Sequence, residues 1–564
     1  MSSSVGEFSS ARLACPLAVE HRVVREKTTG VFAASFGAYA VFAFVLQFAA
    51  GAYRAEFSGY PDEAAHFTTG LMLRDYLVHG LPQNPVQFAE NYYLHYPKVA
   101  IGHWPPLFHL LEALWLLVFP VSRISVMLLM AVYSAVVAAL IARWVTRQYG
   151  RVAGIATGAL FIALPLVQEQ TSMVMAEGLL AILAFAAAEA YSSYLSGNGW
   201  RPALKFAAFS TLAILTKGNG WALMLLPFFA LLFARRFRWL LRWDFWAPLA
   251  MMVVLCAPWQ ILTAHLVQHG WTGTPGPAYF FDAVFYFARQ LWFGLNPVVC
   301  LLALAGAGAA LLGPGGAAAR PASMAALFAS FYFFHGLTPV GLEIRQLLPA
   351  IPALLTFVPA GTAFIAGLLR EHGFRLLARP AAIAAVAGLF FAAETFAITP
   401  VRSYGFEQAA RFLIERGGLK NEVVLVSSEA SGEGIAITET EMIESRPGRY
   451  LLRANKLLAR ADWSGEHYEP AFASAAAVRD ELDLLPASAL IIDFTRGERP
   501  RQHHQQLLQM LANHPFEWQL AGSFGPDDGE TRPVRIYVRG GPYHPAGDHL
   551  HSILADELHR IGEQ

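Results

Sequence analysis

Tyr60-Pro61-Asp62-Glu63-Ala64-Ala65-His66 sets two adjacent carboxylates just beyond an apolar run, in an N-terminal half that is otherwise apolar. Charged groups near hydrocarbon are costly to desolvate, so they persist where they face water, a partner charge or a substrate. Asp62 and Glu63 therefore mark a candidate active site. A helix start after Pro61 would explain one of them, at roughly 0.3–1 kcal/mol of helix-dipole benefit, but does not require both. Further ionisable groups interrupt apolar stretches. Glu177 opens a helix in Met175-Ala176-Glu177-Gly178, and its plain alternative is a helix N-terminal carboxylate. Lys217 sits in Thr216-Lys217-Gly218-Asn219-Gly220, where glycines permit a tight turn and the close approach of a phosphate, to which a compact ammonium is suited. A lysine snorkelling at a helix end is the alternative. Arg345 could hold a phosphate bidentately or simply pair with Glu343.

Membrane helices must carry these residues. Of 564 residues, 55% are hydrophobic and 15% charged, against roughly 25% charged in soluble domains, so a polytopic membrane protein is expected. Lys plus Arg equal Asp plus Glu; net charge points to no acidic partner, and no nucleic acid is expected. Three cysteines, Cys15, Cys256 and Cys300, are too few for a disulfide framework and read as free thiols or packing residues.

Residues 1–30 form a polar, basic tail, expected in the cytoplasm. The run 31–53 is long enough to span a roughly 30 Å hydrocarbon core, which needs about 20 helical residues. Further runs at 124–142, 152–170, 178–195, 203–216, 219–234, 245–265, 291–312, 323–338, 346–368 and 380–399 read as helices. Residues 105–119 are short for a span and suit an interfacial or re-entrant helix. The basic loops carry Arg143, Arg147 and Arg151, then Arg201 and Lys205, then Arg235, Arg236, Arg238 and Arg242, then Arg320, then Arg370, Arg375 and Arg379. All can lie in the cytoplasm with the N-terminus only if 105–119 does not cross, which gives about eleven spans. The expected layout is a membrane domain over residues 31–400, with a large external loop at 54–123, and an external domain at 401–564.

Beyond residue 399 charges become dense; a helix at 404–416 and strands at 422–427, 489–494 and 534–538 predict a soluble α/β domain. Its acidic run from Glu429 to Glu444 offers no nucleophile with a base, and reads as part of a solvated accessory domain that could select an acceptor. The segment Asn91-Tyr92-Tyr93-Leu94-His95-Tyr96 reads as interfacial aromatics. In this topology Asp62, Glu63, Glu177, Lys217, Glu343 and Arg345 share the external face. A transporter would place such groups near the bilayer midplane; an enzyme working at the outer surface would put them here. The rival readings are a polytopic flippase or transporter of lipid-linked sugars and a non-catalytic envelope-assembly protein.

Pro61-Asp62-Glu63 after a first span, a Pro105-Pro106-Leu107 helix start, Met175-Ala176-Glu177-Gly178, Leu215-Thr216-Lys217-Gly218 and Arg345-Gln346-Leu347-Leu348-Pro349-Ala350-Ile351-Pro352 occur in this order. The series resembles the GT-C glycosyltransferases of the protein mannosyltransferase and lipid A aminoarabinose transferase type, over residues 30–400. The resemblance implies an all-α membrane domain of GT-C type in a bacterial plasma membrane. It implies transfer of a sugar from a polyprenyl-phosphate carrier to an envelope lipid, glycan or protein on the outer face, with inversion and without a nucleotide cofactor. By the same resemblance Asp62 is the general base, Glu63 a helper or cap, and Glu177 stands where the family often has Asp. A divalent cation, Mg²⁺ or Mn²⁺, bridging Asp62 and Glu177 would suit oxygen ligation. Lys217 and Arg345 would hold the carrier phosphate. One departure stands out: relatives often carry Lys immediately before the Pro-Pro pair, and here that position is Trp104, leaving His103 or Lys98 as substitutes for the phosphate contact.

Overall fold

The computed structural model describes residues 28–197, 199–268, 274–312, 317–374, 379–417, 422–460, 468–485, 487–494, 500–525 and 533–540. The basic tail up to residue 27, with Cys15, lies outside the described residues.

Helix α1 (Thr28–Ala49) leads into a loop that is itself helical: α2 (Pro61–Asp75), α3 (Pro85–His95) and α4 (Leu107–Val118). Local chemistry sets their starts. Pro61 and Pro85 occupy the first helical turn, where a missing N–H costs nothing, and Asn84 Oδ1 accepts from the Val86 N–H at 2.9 Å. The apolar body follows as α5 (Arg123–Tyr149), α6 (Arg151–Ala163), α7 (Pro165–Thr171), α8 (Glu177–Leu195), α9 (Trp200–Thr216), α10 (Leu226–Ala234), α11 (Trp243–Gln268), α12 (Pro277–Gly294), α13 (Pro297–Leu311), α14 (Ala319–Leu337), α15 (Ile351–Leu355), α16 (Val358–Glu371) and α17 (Pro380–Phe396). Helix α5 packs against α1, α6 and α8. Where α13 crosses α16, a Cβ on Gly306 would collide with the Phe357 carbonyl and one on Gly361 with the Leu302 carbonyl. Only glycine allows that approach, the close-packing device of helices in lipid. Cys256 and Cys300 are buried free thiols.

Among the described residues, α5, α8 and the 243–264 stretch of α11 are long and apolar enough to cross a membrane. Three bent pairs raise the number to six: α6 with α7 (62°), α12 with α13 (115°), and residues 344–355 with α16 (53°). Length alone thus falls short of the eleven spans expected from the sequence. Some apolar runs are divided by breaks at which Pro165, Pro297 and Pro359 stand in the first turn of the second helix; shorter apolar helices lie at 33–49, 107–118, 218–234 and 380–396, and the expected runs at 203–216 and 323–338 fall on α9 and α14.

The C-terminal domain forms a larger set of elements among the described residues than the one helix and three strands expected. They are α18 (Phe406–Glu415), β1 (Val423–Ser427), α19 (Ala430–Ile443), β2 (Tyr450–Arg453), α20 (Ala454–Leu457), a small ribbon of β3 (Ala459–Arg460) and β4 (Glu469–Pro470), α21 (Ala475–Leu484), β5 (Ala489–Asp493), α22 (Gln502–Asn513), β6 (Trp518–Phe524) and β7 (Val534–Arg539). The main sheet runs β2-β1-β5-β7-β6, with β1 parallel to β2 and β5, and β7 antiparallel to its neighbours. Both faces of β1 and β5 are covered, so every residue in them is buried. Val424 and Val426 face a core with Phe406, Leu413 and Ile435, while Val423 and Leu425 face one with Val478, Leu482 and Leu507.

The first of those cores also contains Met72, Tyr92 and Tyr96 of the long loop. This overturns the solvated reading of the acidic run. Glu433, Glu439 and Glu441 are buried on α19, which is packed against α18 and α2. Glu441 accepts from Thr68 Oγ1 at 2.7 Å and Tyr92 OH at 2.8 Å, Glu444 from Tyr96 OH at 2.7 Å, and Glu439 from the Phe57 N–H at 3.2 Å. Tyr92 and Tyr96, expected at a membrane interface, instead hold the C-terminal domain. From the loop side, Glu56 accepts the N–H groups of Tyr404, Gly405 and Glu407 at the start of α18, the placement a helix dipole favours.

Candidate active site

Asp62 and Glu63 lie in the first turn of α2, behind Pro61, and have separate fates. The Glu63 carboxylate accepts from the Gly59 N–H at 2.8 Å and the Val174 N–H at 3.1 Å, and pairs with Arg123 at 3.0 Å. Arg123 also donates to the carbonyls of Ala52 (2.8 Å) and Ser172 (3.3 Å) and covers the Phe57 ring. Both oxygens of Glu63 are engaged and its side chain is 0% exposed, whereas Asp62 keeps 14%. Glu63 therefore splices α2 to α5 and to the α7–α8 junction, the cap-like role of its two expected roles. The sequence reading missed Arg123, although an arginine at the end of a span that the topology expects outside runs against the usual charge bias.

Asp62 faces cations from distant segments. Arg345 Nη2 lies 2.8 Å from Asp62 Oδ2, and its Nη1 stops 4.0 Å from Glu177 Oε1. Lys217 Nζ pairs with that same Glu177 oxygen at 2.6 Å. Glu343 takes Nε of Arg345, and the guanidinium lies 4.4 Å above the Tyr60 ring. Backbone breaks deliver each group. Glu177 is the first residue of α8. Lys217 is the extended residue between α9 and the 3₁₀ turn Gly218–Met224, where a Cβ on Gly220 would strike the Ala213 backbone. Arg345 stands on the 3₁₀ turn Ile344–Ala350, packed on α8. Burial raises the Asp62 carboxyl, but the charges of Arg345, Lys217 and Lys98 outweigh that and hold it below the ordinary value, so it is ionised at neutral pH. Glu177 Oε2 and Arg345 Nη1 are buried without a hydrogen-bond partner among the described residues.

Trp104 stacks on His66 (4.2 Å between ring centroids), and His66 Nδ1 meets His109 Nε2 at 2.9 Å. Burial, then the charges of His109, Lys217 and Arg345, hold His66 well below its usual value, so it is neutral. His103 stands edge-on to Trp104. An aromatic stack thus fills the place of the family's lysine. Lys98 arrives from another direction, its Nζ 3.5 Å from the Pro61 carbonyl. Asp62 and Glu177, expected as possible cation ligands, carry Arg345 between them, and Lys217 lies on Glu177. Among the described residues no three His, Cys, Asp or Glu side chains converge to hold an ion. The donor set fits fixed positive charge rather than a divalent cation.

No family model matches the chain, and no curated protein matches it by sequence. Solved structures do. ArnT from Cupriavidus metallidurans bound to undecaprenyl phosphate superposes with a TM-score of 0.57 at 16% identity, covering 90% of this chain and 97% of ArnT. The fold is that of this ArnT. The apo state of the same ArnT gives 0.55 at 15% identity over 91% and 98% of the two chains. The Archaeoglobus fulgidus oligosaccharyltransferase, in complex with Zn and sulfate, gives 0.46 at 11% identity over 89% and 88%, too distant to carry weight. The likeness to ArnT extends past residue 400, so it includes the C-terminal domain as well as the helical body.

Proposed function

We propose that this chain is an integral membrane glycosyltransferase that moves a sugar from a polyprenyl-phosphate carrier to an acceptor hydroxyl at the outer face of the membrane, with inversion. The observation that carries the reading is the alternation Asp62–Arg345–Glu177–Lys217 at the helix starts of a GT-C fold. Undecaprenyl phosphate is bound by ArnT, the structure this chain resembles over most of its length, and a lipid phosphate of that kind suits the two cations here.

Asp62 is the general base. The acceptor oxygen attacks the anomeric carbon, the bond from that carbon to the phosphate oxygen breaks, the electron pair leaves with the carrier phosphate, and the acceptor proton passes to Asp62. Arg345 makes this possible by serving two anions. In the resting site it holds Asp62 as a carboxylate, which makes Asp62 a weak proton acceptor. A carrier phosphate drawing Nη1 and the Lys217 ammonium takes part of that positive charge, which raises the basicity of Asp62 as the leaving group is being stabilised. Glu177 positions both cations. Glu63, held by Arg123, fixes the turn on which Asp62 stands.

The test is transfer of labelled sugar from a polyprenyl-phosphate donor to membranes of a deletion strain, read by mass spectrometry of envelope lipids, glycans and proteins. A new glycosidic bond formed by the purified chain supports the reading. Movement of labelled carrier across vesicles without any new bond replaces it with a flippase.

A further inference from the structure

Lys98 is buried without a counter-ion. The residue is 7% exposed, its Nζ makes one long hydrogen bond, to the Pro61 carbonyl, and no carboxylate among the described residues pairs with it. Two acids act on it from nearby, Glu433 and Asp62, yet both are committed elsewhere. Glu433 gives one oxygen to Arg453 Nε at 3.0 Å and the other to the Asn455 N–H at 2.9 Å, and Asp62 is paired with Arg345. Arg453 and Lys456 bring two further positive charges to the same place. A buried ammonium with most of its donors unspent is costly unless a ligand supplies the anion.

The surroundings are shaped for this head group. A Cβ on Gly434 of α19 would lie 2.7 Å from Lys98 Cε and 3.2 Å from Nζ, so the absence of a side chain there leaves the ammonium its room. β1 has parallel partners on both sides, β2 and β5, which makes its carboxyl end a topological switch point, the edge at which open α/β sheets bind ligands. Ser427 ends β1 there and Ser428 follows it, while Arg453 ends β2 and Asn455 and Lys456 follow it. Asn455 Oδ1 is buried without a partner among the described residues. Lys98 thus reaches the start of α2 from the side packed on α19, whereas Arg345 and Lys217 reach Asp62 from the helical body.

We propose that Lys98, with Arg453 and Lys456 at the carboxyl end of β2, forms a second anion subsite that holds the phosphate or carboxylate of a glycan acceptor, so that the C-terminal domain completes the active site. The word acceptor rests on the glycosyl-transfer reading; the subsite itself rests on the geometry around Lys98. Burial, then the charge of Arg453, pulls the Lys98 ammonium down to about 7, so a bound anion would recharge it near neutral pH.

The test uses the full chain in nanodiscs with undecaprenyl phosphate saturating the carrier site, titrated calorimetrically with inorganic phosphate and, in a second arm, with glucuronate. Saturable binding of either anion is expected, and the arm that binds names the group. Lys98→Met should weaken it about tenfold or more, as loss of a charge-assisted hydrogen bond does, while leaving undecaprenyl phosphate binding intact and proving the variant folded; Lys98→Arg should restore part of it. The half-buried Lys456→Ala should weaken it more mildly, and decides the matter should Lys98→Met fail to fold. No saturable binding of either anion, or wild-type binding in both Lys98→Met and Lys456→Ala, overturns the subsite. Arg345→Ala separates the two readings. Retained undecaprenyl phosphate binding in that variant would sink the donor-site assignment while leaving the second subsite standing.

Discussion

Arg345 and Asp62 form a 2.8 Å ion pair in which one guanidinium nitrogen, Nη1, is left without a hydrogen-bond partner among the described residues. That nitrogen is 4.0 Å from Glu177, whose near oxygen is already taken by Lys217. A buried pair of this kind is poor as a stabilising device but well suited to receive a third group, because a donor is already desolvated and aimed.

Asp62→Asn should lower kcat by about 10²–10⁴-fold, the range for loss of a general base, with carrier binding retained. Asp62→Glu should recover part of the rate. Single-turnover transfer assays check both. Wild-type turnover in Asp62→Asn would remove the base assignment.

Lys217 and Glu177 should behave as one unit in stability. Removing either partner of a buried pair costs about 3–5 kcal/mol, so Lys217→Met and Glu177→Gln should each destabilise the helical body. The double variant should cost clearly less than the sum, as a double-mutant cycle of unfolding in mixed micelles would register.

Glu63→Gln and Arg123→Met should act on folding rather than chemistry. Each breaks the splice between α2, α5 and the α7–α8 junction, so loss of folded protein by about 3–5 kcal/mol is expected. The folded fraction should keep a turnover far closer to wild type than Asp62→Asn. An activity loss as deep as that of Asp62→Asn, in protein that melts normally, would move Glu63 into the chemistry.

Docking of the C-terminal domain should weaken as pH rises. Burial lifts the carboxyl of Glu441 to about 7 and that of Glu439 to about 8. A raised carboxyl binds its proton more tightly in the folded state, so its contribution to folding is largest below the unfolded carboxylate range. It declines through the interval up to the folded values and is flat beyond them. Melting of the domain followed from about pH 5 to about pH 8.5 should show this decline, and Glu441→Gln should flatten it. A profile unchanged by Glu441→Gln would show that this acid is not titrating at the interface.

The four residues that build the proposed site were legible because each is an ionisable group set in an apolar stretch, where a charge needs a reason. Their convergence was not, because nothing in the spacing of Asp62, Glu177, Lys217 and Arg345 places a 3₁₀ turn on the start of α8. The strands of the C-terminal domain were legible from unbroken apolar runs. The burial of α19 was not, because its acids find their partners at Phe57, Thr68, Tyr92 and Tyr96, 382 residues away along the chain in the case of Glu439 and Phe57. For Lys98 and Glu63 too, neighbours from far along the chain decide whether a charge is a ligand, a splice or an orphan. The bends inside apolar runs were not legible, because hydropathy sums over the breaks that proline starts impose.

The Val401 N–H bonds the Ala50 carbonyl at 2.9 Å, joining the end of the first helix to the segment that leads into the last domain. Translation order then becomes a constraint. The loop bearing Asp62 emerges early, yet Thr68, Tyr92 and Tyr96 have all their carboxylate partners only after residue 444 has been made. A nascent chain arrested before that point carries Asp62, Glu177, Lys217 and Arg345 but lacks the partners that hold the loop bearing Asp62, so the proposed site would be assembled only once α19 and the residues after it have been made.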